Sequence, residues 1–326
     1  MKRNIIEKIF GSIAVVFLFC FTVTTCLSET TGASFLNIGI GARPIGMGSA
    51  YTAVADDVTA MQWNVGGLAQ LSRSEISAMH SEWLVDTRLD FIGYAQPTKA
   101  GVIGGGVIYL SQSAIEGRNE NRQKTGTFSA TDLAVIISYS RHLPEILSET
   151  LSAGLNVKFI QQNIENYTAQ GVAVDIGALY QTPVNNLKTG LSIQNIGPQM
   201  KFIRQEYNLP LAATLGIGYN IGVVMVALDI KQQVYEGRTI ISIGTEYYPV
   251  NMLALRLGYA GKLIEETLTN KDIIPGQTGN NRDTATLTGF GAGLGLKLFT
   301  NYQMDYSFVP YGLLGDTHRI SFSARF

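Results

Sequence analysis

Cysteine is almost missing from this chain. Cys20 and Cys26 are the only two among 326 residues. Both fall in the apolar leader described below, so the remainder has no disulfide framework, no thiol nucleophile and no Cys-ligated zinc site. Histidine is scarce as well, at three: His80, His142 and His318. Charged residues make up 15%, against ~25% in ordinary soluble domains. They nearly cancel, to a net charge of -1, and form no basic stripe of the kind a nucleic-acid partner requires. Long apolar runs are lacking too. Beyond residue 30 nothing approaches the ~18 apolar residues of a spanning helix. The one long run is IAVVFLFCFTV at residues 13–23, behind Lys2, Arg3 and Lys8. A basic head, an apolar middle and small polar followers read as a secretory signal peptide over residues 1–28, cleaved near Ser28. The alternatives are a retained anchor helix over 9–27 and lipidation at Cys26, before which Thr25 is a poor fit.

What the chain does have is alternation. Its last residues run Arg319-Ile320-Ser321-Phe322-Ser323-Ala324-Arg325-Phe326, with Ile320, Phe322, Ala324 and Phe326 on one face and Arg or Ser on the other. A strand with one wholly apolar and one wholly polar face needs oil on one side and water on the other. It also needs both edges paired, since an open edge cannot sit in hydrocarbon. A terminal strand ending in Phe326, with Phe322 on the same face, resembles the assembly signal of outer-membrane β-barrels. The same period recurs from about residue 74. Strands are expected near 74–84, 88–97, 101–111, 127–141, 150–162, 169–181, 187–196, 210–219, 222–232, 238–248, 252–261, 285–298, 301–308 and 318–326. That is an even set of about fourteen, as single-chain bacterial barrels require. Connection length gives a second signal. Residues 98–100, 220–221, 249–251 and 299–300 make tight turns, whereas 112–126, 197–209, 262–284 and 309–317 are long. The exceptions are 142–149 and 85–87. Short turns on one end and long loops on the other belong to a membrane barrel more than to a soluble sandwich. The 15 Tyr and 14 Phe, many near strand ends, suit interfacial girdles. The expected fold is all-β: a transmembrane antiparallel barrel over residues 73–326, in the outer membrane of a Gram-negative type cell.

Residues 29–72 do not alternate. They are rich in Gly and Ala, with a short helix expected over 49–57 and turn chemistry at Asn64-Val65-Gly66-Gly67. Too short for a core of its own, the segment belongs inside the barrel as a plug or across its mouth. It reads Gly32-Ala33-Ser34-Phe35-Leu36-Asn37-Ile38-Gly39-Ile40-Gly41-Ala42-Arg43, then Gly46-Met47-Gly48-Ser49-Ala50, Ala53-Val54-Ala55-Asp56-Asp57 and Trp63-Asn64-Val65-Gly66-Gly67-Leu68. This resembles the N-terminal signature of the PorV/PorQ family of outer-membrane proteins, which are similar to the fatty-acid transporter FadL. Val65 and Gly66 stand where that family usually has Pro and Ala. The resemblance implies an N-terminal hatch built on Arg43, Gly46, Met47, Gly48, Asp56, Asp57, Trp63, Asn64 and Gly67. It implies either support of type IX-like secretion or passage of hydrophobic small molecules. Implied partners are outer-membrane lipid, the barrel assembly machinery, and a secretion translocon or apolar cargo. No cofactor or enzymatic activity is implied.

The remaining candidates are weighed on residue type. In a strand, His80 and Ser81, or His318 and Ser321, face opposite ways, so neither pair builds a triad. An outer-membrane hydrolase is the weakest alternative. Asp56-Asp57 can bind a cation or a positively charged partner within the segment, or cap a following turn or helix, and capping is the commoner use. Arg43, set among Gly and Ala, calls for a buried partner such as Asp57, Asp175, Asp229 or Glu246. Glycines 104–106 and Gly289, Gly291, Gly293 and Gly295 admit two readings: room for a plug against the wall, or curvature for closure. The lumen charges Lys158, Arg256, Lys297 and Arg319 against Asp175, Asp229, Glu246 and Asp305 are mixed in sign, unlike a single-sign porin.

Overall fold

The computed structural model describes residues 30–84, 86–144, 150–262, 289–312 and 315–326. Residues 1–28, where the signal peptide is expected, lie outside them, as do residues 263–284 of the long loop expected at 262–284.

The strands are β1 (Glu75–Glu82), β2 (Thr87–Thr98), β3 (Gly101–Arg118), β4 (Lys124–His142), β5 (Leu151–Ile164), β6 (Tyr167–Gln181), β7 (Leu187–Ile196), β8 (Met200–Phe202), β9 (Gln205–Tyr207), β10 (Ala212–Ile221), β11 (Val224–Gln233), β12 (Arg238–Val250), β13 (Leu253–Lys262), β14 (Phe290–Leu298), β15 (Tyr302–Pro310) and β16 (Asp316–Arg325). All but β8 and β9 close into one antiparallel barrel of fourteen, with β1 paired to β16. β8 and β9 make a separate hairpin between β7 and β10. The fourteen-stranded barrel read from the alternation is the fold.

The wall is inside out relative to a soluble protein. Large apolar side chains point outward: Leu257 is 66% exposed and Ile137 58%. Lys158, Arg256 and Arg319 point inward and are almost wholly buried. Such a surface suits hydrocarbon, and closure leaves no strand edge for the lipid to strip of hydrogen bonds. Many exposed aromatics sit toward the strand ends, Tyr94, Tyr139, Tyr219, Tyr247 and Tyr302 at the short-turn end and Tyr167, Tyr259 and Phe290 at the other, while Tyr109 and Phe159 lie further along their strands. The seam is made by the register Glu75↔Arg325 through Glu82↔His318. An ion pair of 2.8 Å between Glu75 Oε2 and Arg325 Nε tightens it. The Phe326 N–H donates to Ser74 O at 2.9 Å, and its ring lies 6.3 Å from that of Tyr94.

Two local expectations are corrected. Residues 112–126 are not a loop for most of their length, because β3 and β4 run on to Arg118 and from Lys124 past a register shift after Gln112. That stretch is polar, so no apolar period marks it; cross-strand pairing and Glu116, bridged to Arg118 and Lys124 at 2.6 and 3.0 Å, hold it. Residues 49–57 are turns rather than a helix. Gly48 and Ser49 take positive φ of 61° and 68°, which breaks any helix there. The N–H groups of Tyr51 and Thr52 donate to Asp229 Oδ2 on β11 at 2.9 and 2.8 Å. Donors that a helix would use internally go to the wall instead. The short helices of this segment are Ala42–Gly46 and Ala60–Trp63, with tighter turns at Ser34–Asn37 and Val65–Gln70.

Candidate functional site

Residues 30–72 fill the barrel. Ile40, Met47, Tyr51, Ala55, Val58 and Leu68 are all fully buried. What lets a backbone lie directly on the wall is a belt of inward glycines. Gly154 pairs with Gly177, Gly190 with Gly216, Gly244 with Gly258 and Gly258 with Gly291 across adjacent strands. A Cβ on Gly258 would overlap Gly48 N, one on Gly190 would overlap Thr52 O, and one on Gly154 would meet Val65 O at 2.7 Å. Room for the segment therefore explains these wall glycines. It also explains the departure at Gly66: a Cβ there would meet Gly177 O at 2.9 Å and Ala178 Cα at 3.0 Å.

The lumen has two unlike halves. Toward β1–β6 it is lined by Met79, Leu89, Phe91, Ile108, Ile136 and Ile160, packed with Phe35, Leu36, Val58 and Met61 of the N-terminal segment. Lys158 and Asp175 interrupt this half as a buried pair at 2.8 Å. Toward β10–β16 the lining is ionic. Glu246 accepts from Arg43 through both oxygens, each at 2.9 Å, and from Arg256 Nε at 2.7 Å. Arg256 continues to Asp305 at 2.6 Å. Arg43 also reaches Asp56 Oδ1 at 2.5 Å and Asp57 Oδ2 at 3.3 Å. Burial works against the charge on Arg43, but Asp56 and Glu246 outweigh it and hold the guanidinium well above its ordinary value. Tyr51 donates its hydroxyl to Asp57 Oδ2 at 2.7 Å and lies under Arg43, 5.3 Å from ring centre to guanidinium carbon. Burial pushes its phenol well above the ordinary value, against the pull of Arg43 and with the help of Asp57.

The residues singled out in the sequence come together unevenly. Arg43, Asp56 and Asp57 form one ionic knot, and Asp57 also caps the turn before Ala60–Trp63 by accepting from Thr59 N at 2.9 Å. Asp57 thus meets a positively charged partner of its own segment and caps a turn at once. Gly46, Met47 and Gly48 lie against Gly293, Gly244 and Gly258. Trp63 donates to Ile40 O at 3.0 Å. Asn64 donates to Thr52 O and Ala178 O at 2.7 and 2.9 Å and accepts from Gly66 N at 3.1 Å. Gly67 packs on Ala55 O. Phe322 and Phe326 are apart from this site, on the outer surface. Tyr51 was not legible as a site residue, because a tyrosine in a turn carries no spacing signal; Asp229, put forward as a lumen acid, accepts from the Tyr51 and Thr52 backbone rather than from Arg43.

The histidines take other partners. His80 Nδ1 is 2.6 Å from Asp90, His142 Nδ1 3.0 Å from Ser152 and His318 Nδ1 2.7 Å from the Tyr306 hydroxyl. His80 and His318 stand on the outward face, away from the lumen. Lys297, expected in the lumen, sits at the short-turn end over the Tyr248 ring at 4.9 Å. Among the described residues no group of His, Cys, Asp and Glu is placed to hold a metal ion.

The model of an uncharacterised protein family, UPF0164, matches residues 27–305. A UPF0164 protein of Treponema pallidum (strain Nichols) is 25% identical over 196 residues, covering 55% of this chain and 46% of the relative. The chain thus spans about half the length of that curated relative. The toluene transporter TodX of Pseudomonas putida aligns with TM-score 0.61 at 14% identity, over 88% of this chain and 96% of its own. The monoaromatic hydrocarbon channel CymD aligns with TM-score 0.61 at 12% identity, over 91% and 99%. A Pseudomonas aeruginosa FadL homologue gives 0.56 at 9%, over 88% and 98%. At these identities the likeness is one of fold.

Proposed function

We propose, taking as premise that the chain belongs to the UPF0164 family, that it is an outer-membrane channel for small hydrophobic molecules, with residues 29–72 as its hatch. The observation that carries this reading is the apolar half of the lumen. Leu89, Phe91, Ile108 and Ile136 line the inside of a barrel whose outside is already apolar. A water-filled pore has no use for them, because apolar lining raises the cost of hydrating the lumen. A molecule without charge gains by sliding along such a wall once Phe35, Leu36 and Met61 move off it. The named cargo of TodX and CymD, toluene and monoaromatic hydrocarbon, agrees with this chemistry. Lipid at the wall and the barrel assembly machinery are the partners such a protein needs.

The test is uptake of labelled toluene into outer-membrane vesicles with and without the protein. Faster uptake with the protein, together with low ion conductance in planar bilayers, is the expected result. High conductance without faster toluene entry would overturn the reading. Secretion support ranks second. It rests on the resemblance of residues 32–68 alone, and co-purification with a translocon or its substrates is the result that would raise it.

A further inference from the structure

Three described cations are at most 2% exposed: Lys158, Arg256 and Arg319. Lys158 holds Asp175, and Arg256 holds Glu246 and Asp305. Arg319 holds no carboxylate among the described residues. It lies on the inner face of β16, and its Nε and Nη1 have no acceptor. In register beside it are Ser81 on β1 and Ser307 on β15. The Ser307 hydroxyl is likewise buried without a partner. The Trp83 ring covers the guanidinium at 4.8 Å, and Tyr311 stands edge-on to Trp83 at 5.3 Å. Leu89 lies one strand further on, opposite Ser81.

A buried cation without a counter-ion is strongly unfavourable, and the Trp83 ring and the Tyr311 side chain, the two groups that favour the charge, offset only part of that. Two unmet guanidinium donors and one unmet hydroxyl stand on cross-strand neighbours, and an anion's oxygens would satisfy them. We propose that Arg319 and Ser307 form a binding site for small aromatic carboxylates at the long-loop end of the lumen, roofed by Trp83 and Tyr311. One cation neutralises one negative charge, which favours a carboxylate over a doubly charged phosphate. Trp83, Tyr311 and Leu89 offer flat apolar walls to an aromatic body. The unmet donors are covered, so the two roof rings swing aside for the ligand to enter. Tyr311 is next to Gly312, whose φ is 62°, and closely precedes Gly315, whose φ is 95°. The site extends the proposed cargo from neutral aromatics to their acids and rests on the channel reading only for the route.

The experiment uses the full chain purified in detergent, with benzoate as probe. Saturable binding is expected, along with a rise in Tm on adding benzoate. Arg319→Met should weaken binding by about tenfold or more and abolish the benzoate-dependent rise. Without benzoate it should melt at or above the wild-type temperature, because an unpaired buried charge has gone. Arg319→Lys, which keeps the charge, should retain part of the binding. No saturable benzoate binding by the wild type overturns the proposal, as does unchanged binding by Arg319→Met. So does an Arg319→Met protein that melts well below wild type without ligand, since that marks a strut for Trp83. Octanoate binding as tightly as benzoate overturns the aromatic preference. Toluene uptake without benzoate binding sinks this inference alone; benzoate binding without toluene uptake sinks the channel reading alone.

Discussion

Arg43 ties together parts of the molecule that are far apart in sequence. Its guanidinium joins Asp56 and Asp57 of its own segment to Glu246 on β12, and through Glu246 to Arg256 and Asp305. Removing Arg43 leaves Asp57 without its ion partner and Glu246 with Arg256 alone, at a cost toward the lower end of the ~3–5 kcal/mol typical of a broken buried pair. Arg43→Ala should therefore lower Tm and expose residues 29–72 to added protease, while the barrel core stays resistant. Unchanged cleavage of that segment would show that the knot does not hold it. Arg43 was legible because a lone charge amid Gly and Ala has to be paired, and two of its three partners, Asp57 and Glu246, stood among the residues that sequence alone put forward. Tyr51 was not legible. Its role comes from where the turn at Gly48 and Ser49 aims it, and turn geometry of that kind is set by the wall.

Strands and segment fit through the glycine belt. Inward Gly258 faces Gly48, and inward Gly177 faces Asn64 and Gly66. Gly258→Val should leave the barrel able to close, since β-branched residues suit strands. It should push the segment away from β13. The expected reading is a barrel that still resists unfolding by SDS without heating, yet shows raised conductance in planar bilayers and faster entry of polar antibiotics. A variant as tight as the wild type would mean that the close approach is dispensable. From sequence, alternate glycines left curvature and close approach equally open. At Gly291 and Gly293 the structure favours close approach, because Ile45 O and Gly46 Cα lie against the places their side chains would take. The missed extension of β3 and β4 has the opposite cause: polar residues on both faces leave no period to read.

At the scale of the whole molecule, alternation made the barrel legible, because a wall between lipid and lumen forces opposite chemistry onto successive residues of every strand. The division of the lumen into an apolar and an ionic half was not legible, since it depends on which inward residues stand side by side after closure. Closure itself rests on the seam, where Phe326 donates to Ser74 O and Arg325 meets Glu75. Deleting Phe326 should lower the yield of assembled protein in the outer-membrane fraction, with toluene uptake per assembled molecule unchanged. Full yield from the shortened chain would count against the seam as the weak point. The glycine belt bears on time as well as on space. A segment whose backbone touches the wall's backbone along β5–β7, β10 and β12–β14 leaves little clearance for threading through a finished ring. The fit favours a ring cast around the segment, as a mould around its core, with the joining of β1 to β16 as the expected closing event.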